Sequence, residues 1–173
     1  MKYSRKQRKS NKTKSTRIKS TRTKSNKKVK LNIKSPKKVH FSQHTISNSK
    51  KSHIVKMFLE MLNMVKLYHW KTHSYAEHKA TDELYERLSE KIDQFIEVLM
   101  GKDQTRINLI ESKIKLLDPN TTKLFKDQIF KYRGFLEDID IYFDRHDDSD
   151  LLSIRDDILA DLNQFLYLLS LNK

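Results

Sequence analysis

Apolar residues recur in four separate stretches between residues 54 and 169, at intervals of three and four apart from one interval of five between Leu124 and Ile129. This spacing is typical of helices that bury one face. The first two stretches comprise Ile54, Phe58, Met61, Val65 and Tyr68, and then Tyr85, Leu88, Ile92, Phe95 and Leu99. The last two comprise Leu124, Ile129, Tyr132, Leu136 and Ile139, and then Leu151, Ile154, Ile158, Leu162, Phe165 and Leu169. Four amphipathic helices predict an all-α fold, an antiparallel four-helix bundle.

Capping signals predict how the first two helices are joined. Ser52 is a candidate N-cap for the first helix, which we expect to run to about Lys71. Ser74 and Glu77 match the S-x-x-E capping box, which would start the second helix within a tight turn. The two helices are therefore predicted to form an antiparallel hairpin.

The second half of the bundle carries weaker signals. Gly101 is expected to end the second helix, and Pro119 suits the first turn of the third, which should run to about Phe143. Residues 102–118 fit either an extended segment or a helical turn. Gly134 interrupts the third helix at a cost of about 1 kcal/mol relative to alanine, so we expect close packing there.

Charge divides the chain into two parts. Residues 1–53 hold 19 of the 36 Lys and Arg residues and none of the 22 acids, so residues 54–173 carry a formal charge of −5. The sequence predicts a disordered basic tail over 1–50 and a bundle over 51–173. Such a tail favours non-specific DNA binding; a solubilising tail and a nuclear address are alternatives. The expected nucleic-acid contacts lie in a repeat, KSTRI then KSTRT, and just after it: Lys14, Arg17, Lys19, Arg22, Lys24, Lys27, Lys28 and Lys30.

Composition excludes several classes of protein. The chain has no cysteine, which excludes disulfides and thiolate metal sites, and its two glycines leave no phosphate-binding loop. No apolar run approaches the roughly 18 residues of a membrane span, and no apolar segment of a secretory signal follows the first charges. We expect an intracellular, DNA-associated protein in a nucleoid, nucleus or virion.

Four side chains are candidate metal ligands: His69, His78, Asp93 and Glu97. Asp93 and Glu97 lie one turn apart with no base three or four positions away. His78 and Asp93 are 15 positions apart on one helix, or about 22 Å, so the four can meet only if two hairpins pack antiparallel about a two-fold axis. Two imidazoles and two carboxylates suit Fe(II).

Simpler explanations exist for each of these residues. The carboxylates fit a solvated acidic face, His69 fits a buried histidine, and His78 fits the helix surface. His69 and His73 could instead bind zinc together, although a third ligand is not in view. The acidic loop 144–150 lacks the glycine and closing glutamate of an EF-hand, so capping of the fourth helix is expected there. Trp70, Tyr68 and Tyr75 are expected to be packing residues.

The hairpin resembles the DNA-protecting mini-ferritin (Dps) family. His69-Trp70, His78, and a D-x-x-x-E at Asp93 and Glu97 match that family's motif, and the likeness is best over residues 54–101. The resemblance implies a ferritin-like bundle and a dimer or larger shell. It also implies mono- or di-iron sites between subunits, and iron oxidation that protects bound DNA.

Two departures from the family pattern bear on the site. The loop between the histidines is three residues shorter than in the family, and Met100 replaces the histidine of single-chain di-iron sites. A non-catalytic DNA-packaging protein on the same scaffold is the alternative function, and an RNA-associated basic protein is a third.

Overall fold

The computed structural model describes residues 46–110 and 113–171. These residues form four α-helices, a single-turn 3-10 helix at Ile139–Tyr142 and no strand, so the predicted all-α fold is confirmed. We number the helices α1 (Asn48–Lys71), α2 (Tyr75–Asp103), α3 (Thr122–Asp138) and α4 (Ser149–Ser170).

The α1–α2 hairpin forms as predicted. Only Thr72, His73 and Ser74 separate the two helices. The Ser74 hydroxyl accepts a hydrogen bond from the Glu77 amide, as expected for an N-cap. The sequence therefore located this turn correctly from local hydrogen-bonding chemistry.

Several helix ends differ from the prediction because other residues cap them. α1 starts four residues before the predicted cap: Ser47 is the N-cap, and Ser52 is buried inside the helix. α2 runs past Gly101 to Asp103, and its C-cap is Gln104, whose φ of 54° is left-handed. α3 begins at Thr122 rather than Pro119, since the Thr121 hydroxyl caps it.

Gly134 does not mark close packing, contrary to the prediction. A Cβ added at this position would have no heavy atom within 4 Å other than its two neighbouring residues and the backbone of its own helix. The helix is preserved around Gly134, so the glycine lowers helix stability without a packing benefit.

The crossover between α2 and α3 runs back along α1 in its described parts, residues 104–110 and 113–121. The Asn108 amide and carbonyl pair with the Asn48 side chain, at 3.1 and 2.8 Å. Farther along, the Lys115 amide donates to Glu60 (2.8 Å). Near the end of α1, Lys71 Nζ lies 2.8 Å from Asp118 Oδ1. Within the range 102–118, Lys102 and Asp103 continue α2, and the described residues 105–110 and 113–118 do not form the helical turn that was one of the two alternatives.

Contacts between the helix ends show the direction of each helix. Lys51 at the start of α1 pairs with Asp103 at the end of α2. The hydroxyl oxygen of Tyr68 near the end of α1 lies 3.0 Å from that of Thr122 at the start of α3. Lys126 on α3 reaches the Leu169 carbonyl near the end of α4. Helices α1 and α4 therefore run one way, and α2 and α3 the other.

The core follows the predicted apolar stripes with two exceptions. Leu124 is 47% exposed, and Phe125 is buried in its place. Tyr85 is only partly buried. The remaining stripe residues are all in the core, where α2 packs against both α1 and α4. No helix in the described part of the chain is long and apolar enough to cross a membrane.

Candidate functional site

The tight hairpin brings His69 and His78 together. His69 lies in the last turn of α1 and His78 in the first turn of α2. Their rings stack with centroids 4.0 Å apart and planes inclined by 22°. The His69 side chain is buried and His78 is exposed, so the pair lies at the surface of the hairpin. Two of the four predicted ligands are therefore neighbours within one chain.

Backbone contacts define the protonation pattern of this histidine pair. Nδ1 of His69 lies 3.1 Å from the His78 carbonyl oxygen, and Nδ1 of His78 lies 3.1 Å from the His69 carbonyl oxygen. A carbonyl oxygen only accepts, so these contacts are hydrogen bonds when each Nδ1 carries the proton and donates it. In the neutral ring Nε2 then holds a lone pair. This is the arrangement of a metal-binding histidine whose other nitrogen is bonded to the protein.

Asp82 lies beside the pair and was not among the predicted site residues. Its Oδ1 is 3.7 Å from Nε2 of His69 and 3.8 Å from Nζ of Lys66. The sequence did contain a signal, because Asp82 follows His78 by four positions and helical neighbours at that spacing share a face. The structure thus adds one carboxylate near the histidines.

Asp93 and Glu97 lie on the exposed side of α2, one turn apart. Neither forms an ion pair or side-chain hydrogen bond with any residue that the structure describes. They share α2 with His78, and 15 residues of helix separate His78 from Asp93 by about 22 Å. A single chain does not bring the four predicted ligands together.

Metal-binding clusters are also absent within one chain, as far as residues 46–110 and 113–171 show. Among them, no three His, Asp or Glu side chains are placed to hold a metal ion. His69 and His73, the alternative zinc ligands, therefore have no third ligand beside them among these residues. The site shared between two chains stays a prediction, since it requires a second copy.

An apolar groove of about 670 Å³ lies between α1 and α2 next to Asp93. Its walls are mainly aliphatic and aromatic, and carboxylates are also part of the lining. The residues that line it include Val55, Phe58, Leu59, Leu62, Tyr85, Ile92 and Ile96, together with Glu86, Glu90 and Asp93. One of the two exposed carboxylates therefore borders an apolar surface depression.

Glu77 forms a buried polar cluster on the other side of the hairpin turn. Its carboxylate accepts hydrogen bonds from the hydroxyls of Tyr68 (2.7 Å), Thr72 (2.7 Å) and Thr122 (3.0 Å). Burial chiefly, and the Glu77 carboxylate with it, raises the pKa of Tyr68 against the lowering effect of Thr122. Glu77 thus ties α1, α2 and α3 together, a role beyond the predicted capping box.

Three aromatic residues near the turn were expected to be packing residues. The prediction is confirmed for Tyr68, because its ring is buried and stacks on Phe125 with 3.9 Å between the ring centroids. Trp70 and Tyr75 do not, because they are 68% and 79% exposed. The prediction is wrong for these two residues, which face outward at the ends of α1 and α2.

The acidic loop before α4 binds a lysine. Lys102 Nζ lies 3.1 Å from Asp148 Oδ1 and 2.8 Å from Asp150 Oδ1. Burial would lower the pKa of Lys102, but these carboxylates outweigh it and raise the pKa. The side chain of Asp148, the N-cap residue, makes no capping hydrogen bond, and its Oδ2 accepts from the Asp144 amide instead. The predicted capping of α4 is therefore wrong for the side chain of its N-cap residue. The acids bind Lys102 and accept hydrogen bonds from the loop backbone instead.

The predicted nucleic-acid contacts of the tail, Lys14 to Lys30, lie outside the described residues. The described residues form an all-α, four-helix protein with one long crossover and a paired-histidine hairpin. The chain belongs to a family of unknown function, DUF5856, whose model matches residues 69–169. No curated protein and no solved structure matches it. The matched region begins at His69 and extends through most of α4.

Proposed function

We propose that the protein is a Dps-like, iron-oxidising nucleic-acid-binding protein that acts as a dimer or larger assembly, with Fe(II) as its substrate. The observation that carries this proposal is the stacked His69–His78 pair. Each ring donates from Nδ1 to the other residue's carbonyl and keeps its Nε2 lone pair available.

The donor set fits ferrous iron. Neutral imidazole nitrogen and carboxylate oxygen are ligands of non-haem Fe(II). His69 and His78 supply two nitrogens, and Asp93 and Glu97 supply two carboxylates that have no other partner among the described residues. An uncompensated carboxylate pair one turn apart is stabilised by a cation, which a bound iron would supply. Each Fe(II) would lose one electron to peroxide or dioxygen from solution.

Two chains are needed to combine these donors. An antiparallel arrangement of two hairpins places the histidine end of one α2 beside the carboxylate end of the other. The groove that Asp93 borders supports this arrangement, because apolar side chains such as Leu59 and Ile96 would be buried by a second copy. The single long crossover is also the connection found in ferritin-like bundles.

A complementation experiment tests the shared site. One variant carries His69→Ala and His78→Ala, the other Asp93→Ala and Glu97→Ala, and each should lose Fe(II) oxidation. In a mixed dimer one of the two sites contains only native ligands. Unfolding and refolding the variants together should therefore restore roughly one quarter of the wild-type rate, since about half of the dimers are mixed.

The control variant is His73→Ala with His146→Ala, which removes two exposed histidines outside the proposed site. It should oxidise iron at the wild-type rate. If either double variant retains full activity, or if the refolded mixture stays inactive while forming mixed dimers, the shared site is wrong.

A non-catalytic DNA-packaging protein is the second candidate. The charge of residues 1–53 supports it independently of any metal, because 19 basic residues with no acid neutralise phosphates without sequence preference. Purified wild-type protein that oxidises no iron but shifts duplex DNA at low salt would favour this candidate. A preference for RNA over duplex DNA would instead favour an RNA-associated protein.

A further inference from the structure

Thr81 is a fully buried residue of α2 that lies against the paired histidines. Its Oγ1 is 2.7 Å from the carbonyl oxygen of Glu77 and 3.0 Å from that of His78. The same oxygen is 3.3 Å from Nδ1 of His69. The hydroxyl therefore contacts two backbone acceptors and one imidazole nitrogen.

The direction of each hydrogen bond follows from the available protons. Thr81 has one hydroxyl proton, and the neighbouring carbonyl oxygens can only accept it. Once the hydroxyl donates to a carbonyl, its oxygen can only accept from His69. Nδ1–H of His69 thus has two acceptors, the His78 carbonyl and Thr81 Oγ1.

Asp82 exerts the opposite influence on His69. A carboxylate near Nε2 favours a proton on that nitrogen, and Asp82 Oδ1 lies 3.7 Å away. A proton on Nε2 would remove the lone pair that a metal needs. The two acceptors at Nδ1 and the carboxylate near Nε2 therefore compete for the proton of the neutral His69 ring.

We propose that Thr81 is a positioning residue that holds His69 in the Nδ1–H form, which would leave the Nε2 lone pair available to bind Fe(II). This inference rests on the proposed Fe(II) site. Groups that bond the far nitrogen of a ligating histidine typically change metal affinity by about 10- to 100-fold. Because the His78 carbonyl remains as a second acceptor, the expected loss without the Thr81 hydroxyl is about tenfold.

The first measurement follows the proton directly. In metal-free protein at about pH 8, where histidine is neutral, the nitrogen shifts and couplings of each imidazole distinguish Nδ1–H from Nε2–H. Wild type should show Nδ1–H for both His69 and His78. Thr81→Val, which keeps the side-chain shape, should move His69 toward Nε2–H and leave His78 unchanged. Thr81→Ser keeps the hydroxyl and should match wild type.

The second measurement is Fe(II) affinity under anaerobic conditions for the same proteins. Thr81→Val should bind about tenfold more weakly and Thr81→Ser should be close to wild type. The control is Thr105→Val, which removes a hydroxyl bonded to Asp103 at the other end of the bundle. It should leave the His69 tautomer and Fe(II) affinity unchanged.

The outcomes separate this inference from the proposed function. An Nε2–H form of His69 in wild type overturns the role of Thr81, even if no variant folds. The role is also wrong if Thr81→Val changes neither the tautomer nor the affinity. If the tautomer responds but wild type binds no Fe(II), Thr81 positions His69 and the proposed iron chemistry fails.

Discussion

The ion pair between Lys51 and Asp103 offers the most direct test of the tertiary structure. It joins the start of α1 to the end of α2, and the two side chains are only 5% and 6% exposed. Thr105 completes the cluster: its hydroxyl lies 3.0 Å from Lys51 Nζ, and its amide and hydroxyl donate to Asp103. Replacing Lys51 by methionine would leave a buried carboxylate without its counter-charge.

The expected cost is large because the charge that remains is desolvated. Removing one partner of a buried pair costs about 3–5 kcal/mol, and the two Thr105 donors put Lys51→Met near 3 kcal/mol. With a urea m-value of about 2 kcal/mol/M, the unfolding midpoint should fall by ~1.5 M. The double variant Lys51→Met with Asp103→Leu should recover most of the loss, since no unpaired charge remains.

Urea titration followed by circular dichroism measures these values. Lys71→Met is the matched control, because Lys71 also links α1 to an aspartate, Asp118, but this pair is 42% and 56% exposed. Its loss should cost under about 1 kcal/mol. Equal effects of the two single substitutions would refute the burial argument.

The pH dependence of the same pair has a defined sign. Burial would raise the pKa of Asp103, but the hydrogen bonds from Lys51 and Thr105 outweigh it and lower the pKa. The resulting stabilisation is present above the unfolded pKa of about 3.9 and is lost as pH falls through the lower folded value. The stability difference between wild type and Lys51→Met should therefore shrink below about pH 4. A difference that does not change with pH would contradict this assignment.

Three further predictions concern helix stability, the Glu77 cluster and the tail. Gly134→Ala should stabilise the protein by about 1 kcal/mol in thermal unfolding, because the added methyl group meets nothing; a loss of stability would show hidden packing. Glu77→Gln should cost about 1–3 kcal/mol and lower the pKa of Tyr68 in a phenol titration, since its charge raises that pKa. Deleting residues 1–45, which leaves the Ser47 cap and buried Ile46 in place, should remove most DNA affinity and its salt dependence in gel-shift assays, whereas retained binding would exclude the tail.

Part of the candidate site could be predicted from sequence, and part could not. His69 and His78 were expected to approach one another across the Ser74 turn, and their rings do stack. Their neighbours Asp82 and Thr81 were missed, although both follow His78 within one helical turn. Periodicity places such residues on a face, but whether a side chain reaches the opposite helix depends on how the two helices pack.

Lys51 and Glu77 are two further buried residues whose contacts could not be predicted from the sequence. In a sequence a charged residue looks like a surface residue, and some of the contacts that bury it lie far away in the chain. For Lys51 the partner is 52 positions away, and for Glu77 the Thr122 hydroxyl is 45 positions away. Neither partnership has a local signal.

The sequence by itself determined the four helices, most of their buried faces and the tight first hairpin, because apolar spacing and N-capping act over a few residues. Only the tertiary structure decided the course of the crossover, the directions of α3 and α4, and the hydrogen bonds that set the histidine protons. The crossover and the helix directions depend on contacts between segments far apart in the chain, and the histidine hydrogen bonds depend on how α1 and α2 pack across their turn. In both cases packing outweighs local preference.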